Sequence, residues 1–203
     1  MRLYQNANSP FARKVLAVLH ETGQTGDVEL VQATGTAIDP GTIPIAHNPL
    51  GKIPALERPG GATLYDSRVI CRFLDDRKGA RLYPSGARQW ETLTLEATGD
   101  GIMEAAILIV YETRLRPEAH VLPEIIEAQW SKIARTLDAL EARWLSHLAG
   151  PLDIGQIAVG CALGYLDFRH PAREWRRGRD GLATWEGRFR ARPCMAATAP
   201  PDS

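Results

Sequence analysis

The chain has 203 residues, 44% of them apolar, and its 24 basic and 24 acidic residues leave no formal net charge. This length and apolar content suit one large or two small packed domains and exclude a disordered chain. The balanced charge gives no reason to expect nucleic acid as a partner. No secretory signal peptide is expected after Arg2, and the longest apolar run, Ala105 to Tyr111, is too short to cross a bilayer.

The first 78 residues are predicted to mix short strands with helices. The predicted strands cover residues 2–5, 28–32, 55–57 and 62–65, the last two joined as a hairpin through Arg58–Gly61. A helix is predicted over 10–22, with Gly23 just past its end, and a second helix capped by Ser67. Residues 33–47 are rich in Gly, Pro and Thr and are predicted to form a loop.

After residue 78 the pattern becomes helical. We therefore predict a first domain over 1–78, a linker over 79–87 and an all-helical domain over 88–203. Its predicted helices are 88–114 with weak points at Gly99 and Gly101, about 118–148, one opened by a capping box at Asp153–Gln156, and a last one stopped by Pro193.

A single hydroxyl side chain, that of Ser9, lies between the first predicted strand and the first predicted helix, in the run Asn8-Ser9-Pro10-Phe11. Pro10 suits the first helical position because it lacks an N–H group that would be unpaired there. Ser9 is therefore predicted at the N-cap, beside the positive end of the helix. A thiolate would be stabilised at that place, so Ser9 is either a plain cap or part of a thiol-activating site.

Three cysteines are widely spaced and form neither a Cys-x-x-Cys pair nor a metal-ligand spacing. Cys71 and Cys161 lie in apolar helical patterns and are interpreted as small core residues. An odd number of cysteines is typical of a reducing compartment. We therefore expect a cytoplasmic protein with no bound metal and no membrane segment.

Several segments, taken together, resemble the cytosolic glutathione transferase superfamily. They are Ser9-Pro10-Phe11-x-Arg13-Lys14, Asn48-Pro49-x-Gly51-Lys52-Ile53-Pro54-x-Leu56, Asp66-Ser67 at a helix start, the capping box at Asp153, and Trp185-x-x-x-Phe189-x-x-Arg192-Pro193. Asp100-Gly101-Ile102-Met103 and Tyr111-Glu112 are similar to a bacterial branch with mostly undefined substrates. The resemblance implies an α+β thioredoxin-like domain of order βαβ-α-ββα, an all-α second domain, and a homodimer.

The resemblance also implies glutathione-binding roles by position. Ile53 would offer its backbone N–H and C=O to the cysteinyl unit, and Pro54 would follow a cis peptide bond that turns this backbone outward. Asp66 and Ser67 would hold the γ-glutamyl end of glutathione. Lys52 would either meet the glycyl carboxylate or point to water.

Ser9 is the first candidate for the group that donates a hydrogen bond to the glutathione sulfur. Many relatives place their serine further ahead of the proline, where this chain has Asn8, Ala7 and Asn6. Asn8 or Asn6 is therefore the alternative donor, which would leave Ser9 as the cap alone. Mixed-disulfide chemistry is not expected here, because no cysteine precedes Cys71.

The electrophile pocket is predicted to be lined by Phe11, Met103, Ile107 and Tyr111. The last three share one helical face, although such a stripe is more often plain core. Arg13 and Lys14 are expected in solvent or facing a dimer partner. The basic cluster from Arg169 to Arg179 is interpreted as a solvated loop rather than a nucleic-acid face.

Two functions of different class follow from these interpretations. The first is a glutathione S-transferase that activates the glutathione thiol for attack on small electrophiles, with possible peroxidase or isomerase side activity and a role in detoxification. The second is a non-catalytic transferase-like module that binds a protein partner or a ligand. The intact glutathione motifs favour the first.

Overall fold

The structure is a computed structural model that describes residues 1–201. Strands β1 (Arg2–Gln5), β2 (Glu29–Gln32) and β3 (Ala55–Glu57) form one sheet of order β2-β1-β3. Strand β1 is parallel to β2 and antiparallel to β3. The predicted α+β fold is confirmed.

Two details of the predicted strand and helix order differ from the structure. The fourth predicted strand, 62–65, is reduced to a single antiparallel bridge between Leu56 and Leu64. It has no room to extend, because the turn before it is closed by Arg58 Nε donating to Ala62 O at 3.1 Å and a helix begins at residue 67. Residues 33–54 form turns and bends without a regular helix.

Helices α1 (Pro10–Glu21) and α2 (Ser67–Lys78) lie against each other beside the sheet. Gly23 ends α1 at φ +64°, with hydrogen bonds from Gly23 N to His20 O and from the next amide to Leu19 O, which is the expected glycine C-cap. The prediction that Ser67 caps α2 is wrong. Asp66 is the N-cap, because its carboxylate accepts from Arg68 N at 2.9 Å, and Ser67 is the first helical residue.

The second half of the described chain is helical. Its helices are α3 (Gln89–Arg114), α4 (Pro123–Arg143), α5 (Leu145–Leu148), α6 (Ile154–Arg169), α7 (Asp180–Phe189) and α8 (Pro193–Ala197). The predicted helix over about 118–148 ends at the expected residue, but its start is wrong and it is interrupted. Leu122 precedes a proline and is extended, so α4 begins only at Pro123, and a break at Trp144 separates α5.

Helix α3 runs straight through the two glycines that the sequence marked as weak points. At Gly99 the backbone of α6 packs directly against α3, since a Cβ there would lie 2.6 Å from the backbone carbon of Ala158. The glycine is therefore needed for helix packing. A Cβ at Gly101 would meet nothing within 4 Å.

Asp153 is the N-cap of α6 and is 1% exposed. Its carboxylate accepts from Gln156 N at 3.2 Å and from the Thr92 hydroxyl at 2.9 Å, and Arg88 lies 3.0 Å from it. Of the two reciprocal hydrogen bonds of the predicted capping box, the described residues form only the one from Gln156 N to the Asp153 carboxylate. The Gln156 amide instead donates to the carbonyls of the preceding loop, such as Pro151 O at 2.9 Å.

No helix within residues 1–201 is long and apolar enough to span a membrane. Cys71, Cys161 and Cys194 are unpaired and buried. The division into domains at 1–78 and 88–203 stays a prediction, and its last two residues lie outside the described part of the chain.

Candidate functional site

The strand register brings the three segments that are predicted to bind glutathione to one end of the sheet. Tyr4 pairs with Ala55 in antiparallel fashion, so Ile53 lies beside the end of β1 from which the loop to Ser9 departs. Leu64 pairs with Leu56, which carries the following residues back toward the same end. The starts of α1 and α2 and the residues before β3 therefore share one edge of the sheet.

Ser9 is the N-cap of α1, as predicted. Its Oγ accepts from Ala12 N at 3.2 Å, and it is half-buried. The hydroxyl hydrogen makes no hydrogen bond within residues 1–201 and is available to an acceptor. Both ends of the Asn6 side chain are already hydrogen-bonded to backbone groups. Its Oδ1 accepts from Asn8 N at 2.9 Å, and its Nδ2 donates to Ala33 O at 3.4 Å.

Ile53 precedes a cis peptide bond to Pro54. Its backbone N–H and C=O have no hydrogen-bond partner within the described residues. Asn48, 1% exposed, holds the loop in front of Ile53 by donating to Lys52 O at 2.8 Å and accepting from Leu50 N at 3.1 Å. This role of the Asn48 side chain was not predicted, although Asn is typical of turns in which a side chain bonds the nearby backbone.

The start of α2 presents an exposed carboxylate and the hydroxyl of a serine that is otherwise buried. Asp66 is exposed, whereas Ser67 is 3% exposed and its hydroxyl makes no hydrogen bond within the described residues. The Tyr65–Asp66 peptide bond is also cis. The first N–H groups of a helix lack partners inside it, so this start can receive a carboxylate. Lys52 is exposed.

Lys14 is not in solvent or at a surface, as the sequence suggested, but completely buried. Its Nζ lies 2.7 Å from Asp100 Oδ1 and 3.2 Å from Glu96 Oε1. Asp100 in turn accepts from Arg68 Nε at 2.6 Å, and the Tyr83 hydroxyl donates to Glu96 at 2.9 Å. We call these five side chains the buried charge cluster after its three buried members, Lys14, Glu96 and Asp100; Arg68 reaches them from the surface.

The buried charge cluster joins α1, which starts at the Ser9 cap, to α2, which starts at the Asp66 cap, through α3. Burial opposes the charge on Lys14, but the combined attraction of its acidic neighbours, with Asp100 first and Glu96 adding to it, outweighs burial and raises the pKa of the ammonium. Burial likewise raises the pKa of Glu96. The cluster fixes the relative position of both helix starts.

Arg13 is also buried, at 6% exposure, against the expectation of a surface residue. Gly164 of α6 makes room for it, because a Cβ there would lie only 2.2 Å from Arg13 Nη1. The basic cluster near residue 170 is partly exposed at the surface, and several of its arginines form ion pairs there. Arg173 and Arg176 are paired with Glu127 and Asp167 respectively.

The predicted electrophile-pocket residues divide into two groups. Met103 has 0% exposure and lies in the main core, so its assignment to a pocket is wrong. A helical stripe cannot distinguish a core face from a pocket face, because both are apolar. Phe11, Ile107 and Tyr111 are half-buried and remain candidates.

No group of three or more metal-binding side chains occurs within residues 1–201. The candidate site offers hydroxyls, backbone hydrogen-bonding groups and helix starts. These groups favour a ligand with a carboxylate, an ammonium and an extended backbone that can pair with Ile53.

The chain is similar to known proteins over nearly its whole length. The N-terminal domain family of glutathione S-transferase matches residues 8–77, and the C-terminal domain family matches residues 123–188. The uncharacterized GST-like protein YibF of Escherichia coli strain K12 is 32% identical over 205 residues, covering 99% of each chain.

Two solved structures of a glutathione transferase family member from Pseudomonas fluorescens Pf-5 are similar over nearly their whole length. One, with bound glutathione, is 46% identical with a TM-score of 0.96 and 98% of each chain covered. The other, with bound S-(propanoic acid)-glutathione, is 45% identical with a TM-score of 0.91, covering 99% of this chain and 100% of that one. The chain belongs to the glutathione transferase superfamily, and its function is that of a glutathione transferase.

Proposed function

We propose that this protein binds glutathione at the sheet edge formed by Ser9, Ile53 and Ser67, and that Ser9 activates its thiol. The observation that carries the proposal is the convergence of two helix starts and an unpaired backbone segment at that edge. Relatives crystallised with glutathione support the ligand. They also disfavour the alternative of a non-catalytic binding module.

In the proposed complex, the cysteinyl backbone of glutathione pairs with Ile53 ahead of the cis bond to Pro54. The γ-glutamyl carboxylate lies at the Ser67 hydroxyl and the first N–H groups of α2. Its ammonium lies near the exposed carboxylate of Asp66. The exposed ammonium of Lys52 is within the same edge and is assigned to the glycyl carboxylate.

Ser9 donates its unused hydroxyl hydrogen to the sulfur, while its Oγ continues to cap α1. A free thiol has a pKa of about 8.5, so only a few per cent is thiolate at neutral pH. One charge-assisted hydrogen bond and the helix start are expected to lower this pKa by about one to two units, at about 1.4 kcal/mol each. The thiol proton passes to solvent.

The thiolate then attacks an electrophilic carbon. A carbon–sulfur bond forms from the thiolate lone pair, and either a leaving group departs with its bonding electrons or a proton is taken up by the adduct. The half-buried side chains of Phe11, Ile107 and Tyr111 are proposed to line the space for this second substrate.

The first experiment is calorimetric titration with reduced glutathione. A dissociation constant in the micromolar to low-millimolar range is the expected result, whereas the absence of binding at several millimolar would contradict the proposal.

Ser9→Ala is expected to lower kcat/KM with a chlorodinitrobenzene reporter about 10- to 100-fold, which is about 1.4–2.8 kcal/mol. Glutathione affinity should change little.

Asn8→Ala is the matched control, because Asn8 is exposed and its side chain makes no hydrogen bond within residues 1–201. Its activity should equal that of the parent protein. A loss of activity in Asn8→Ala with none in Ser9→Ala would transfer the donor role to Asn8. Ser9→Gly separates the two roles of Ser9, since glycine caps a helix almost as well but has no hydroxyl.

We also propose a homodimer. Large apolar side chains remain exposed on the single chain, among them Leu50, Val69 and Trp90 at 64%, 48% and 69% exposure. Sedimentation should give twice the chain mass, and Trp90→Glu should shift it toward the mass of one chain. A parent protein that sediments as a single chain at micromolar concentration would contradict this.

A cytoplasmic location completes the proposal. Three unpaired, buried cysteines are typical of a compartment that keeps thiols reduced. Fractionation of cells that express the tagged protein tests the location directly.

A further inference from the structure

Helices α3 and α6 lie side by side and run in the same direction. Toward their starts, a Cβ at Gly155 of α6 would lie 2.8 Å from Leu95 Cβ of α3. Further along, at the end of α6, His170 Nε2 lies 3.0 Å from Ala106 O. The C-terminal ends of α3 and α6 therefore lie on the same side of the helical half.

This side carries the α3 residues that are proposed to line the electrophile space. Ile107 and Tyr111 are one helical turn apart, and Arg114 follows three residues later, so these side chains share one face of α3. The first part of α1, which begins at the Ser9 cap, packs against α6 at Gly164, where a Cβ would lie 2.2 Å from the nearest atom of α1. The start of α1 and the later part of α6 therefore adjoin one another.

Side chains from the ends of both helices converge on Tyr165 of α6, which is 5% exposed. Burial raises the pKa of the Tyr165 hydroxyl, and the guanidinium groups of Arg169 and Arg114 oppose this increase. Tyr111 of the candidate pocket acts on the same hydroxyl. Because such interactions weaken with distance, Tyr111 and the two arginines lie near one buried hydroxyl.

Arg169 is held in place by an aromatic neighbour. Its Cζ lies 3.8 Å from the ring centroid of Phe168, and this ring packs edge-on against Tyr165 with 6.4 Å between the centroids. The Arg169 side chain is half-buried. A stacked guanidinium loses less conformational freedom on binding than a free one, so Arg169 is suited to binding a planar anion.

The charge at the ends of these helices is positive. The acidic side chains of the neighbouring segments are already paired with other arginines: Glu112 with Arg116, Glu127 with Arg173, and Asp167 with Arg176. Within residues 1–201, Arg114 and Arg169 form no ion pair. Burial lowers the pKa of His170, and the charges of Arg169 and Arg114 lower it further, which is the effect of a positive surrounding.

We propose that the second substrate of this protein is an electrophile that carries a carboxylate, and that Arg169 binds this carboxylate with the help of Arg114. A guanidinium binds a carboxylate through two parallel charge-assisted hydrogen bonds. The uncharged part of the substrate contacts Ile107 and Phe11. This inference rests on the proposed function, because it names the class of substrate that is taken at the same site.

The chemical step leaves the carboxylate unchanged. With an activated aryl chloride, the lone pair of the glutathione thiolate forms the carbon–sulfur bond, and chloride departs with the electron pair of the carbon–chlorine bond. The carboxylate forms and breaks no bond in this step. Arg169 therefore acts by binding and orienting the substrate, as a residue that determines specificity.

The experiment compares 4-chloro-3,5-dinitrobenzoate with its neutral amide, 4-chloro-3,5-dinitrobenzamide. Each kcat/KM value is divided by the rate constant of the same probe with free glutathione, which removes the difference in intrinsic reactivity. We expect the parent protein to prefer the carboxylate by about 10- to 100-fold, since hydrogen bonds between charged partners are the strong ones. Equal normalised values for the two probes would overturn the proposal.

Arg169→Met should lower kcat/KM for the carboxylate probe by about 10- to 100-fold and affect the amide probe far less. Arg114→Met should cause a smaller loss of about two- to fivefold, because Arg114 is exposed. Arg188→Met removes an exposed arginine of α7 and is the control that should leave both probes unchanged. An equal loss for both probes in Arg169→Met would show a structural role and refute the inference.

Two measurements keep this test decisive. Arg169→Lys retains the charge without the two parallel hydrogen bonds, so its preference for the carboxylate should lie between those of the parent and Arg169→Met. If Arg169→Met does not fold, the preference of the parent protein and the loss in Arg114→Met decide the question.

Calorimetric titration with glutathione separates this inference from the proposed function. Parent protein that binds glutathione and consumes the amide probe, but shows no preference for the carboxylate, would refute the inference alone. Parent protein that binds no glutathione and consumes neither probe would contradict the proposed function and this inference together.

Discussion

Replacement of Lys14 by Met tests the buried charge cluster. Methionine has a similar length but no charge. In the variant, Asp100 still accepts a hydrogen bond from Arg68, whereas the only remaining partner of Glu96 is the hydroxyl of Tyr83. Removing one partner of a buried ion pair costs about 3–5 kcal/mol, because the remaining charge stays buried without compensation. For a chain of this size, that corresponds to a fall of about 6–20 °C in unfolding temperature.

The measurement is urea unfolding followed by the fluorescence of the five tryptophans. Lys132→Met, an exposed lysine of α4, is the control and should change the free energy of unfolding by no more than about 0.5 kcal/mol. Glu96→Gln added to Lys14→Met should recover a large part of the loss, since it removes the uncompensated carboxylate. A loss below about 1 kcal/mol in Lys14→Met would refute the role of Lys14 as the buried counter-charge.

The same variant predicts a pH dependence whose sign follows from Glu96. Burial already raises the pKa of this carboxyl in the folded protein, and removal of Lys14 raises it further. A group with a raised folded pKa binds its proton more tightly in the folded state. Stability of Lys14→Met should therefore fall as pH rises above about 4.3, and the Glu96→Gln double variant should lack this slope.

Three further substitutions test the helical packing. Gly99→Ala should cost about 1–3 kcal/mol because its Cβ would press on the α6 backbone, whereas Gly101→Ala, with open space around it, should stabilise by about 0.5–1 kcal/mol. Asp153→Ala should lower the free energy of unfolding by about 2–4 kcal/mol, since the buried partners of this carboxylate lose their acceptor. Equal effects at Gly99 and Gly101, or a neutral Asp153→Ala, would contradict the packing described.

The sequence was sufficient for the features that depend on local chemistry. Strand β1, helix α1 with its Ser9 cap and its Gly23 end, and the Asp153 cap of α6 were predicted because cap residues and periodicity act within a few positions. The cis bond before Pro54 was expected only from the family resemblance.

Features that depend on distant partners could not be predicted from one sequence. Lys14 looks like a surface residue in its own helix, and its burial is explained only by acids 82 and 86 positions away. Arg13 is buried because Gly164 leaves space beside it. Met103 shares a stripe with Ile107 and Tyr111, yet only tertiary packing decides which members reach a pocket.

The buried charge cluster has a consequence for chimeric proteins. Lys14 belongs to the half that carries the proposed glutathione edge, whereas Glu96 and Asp100 belong to the helical half. A hybrid that joins residues 1–78 to the helical part of a relative keeps the ammonium of Lys14. The relative need not supply the two carboxylates that neutralise this ammonium. Recombination between relatives should therefore succeed only where the exchanged halves keep this charge pairing, and these three positions would have to be transferred together.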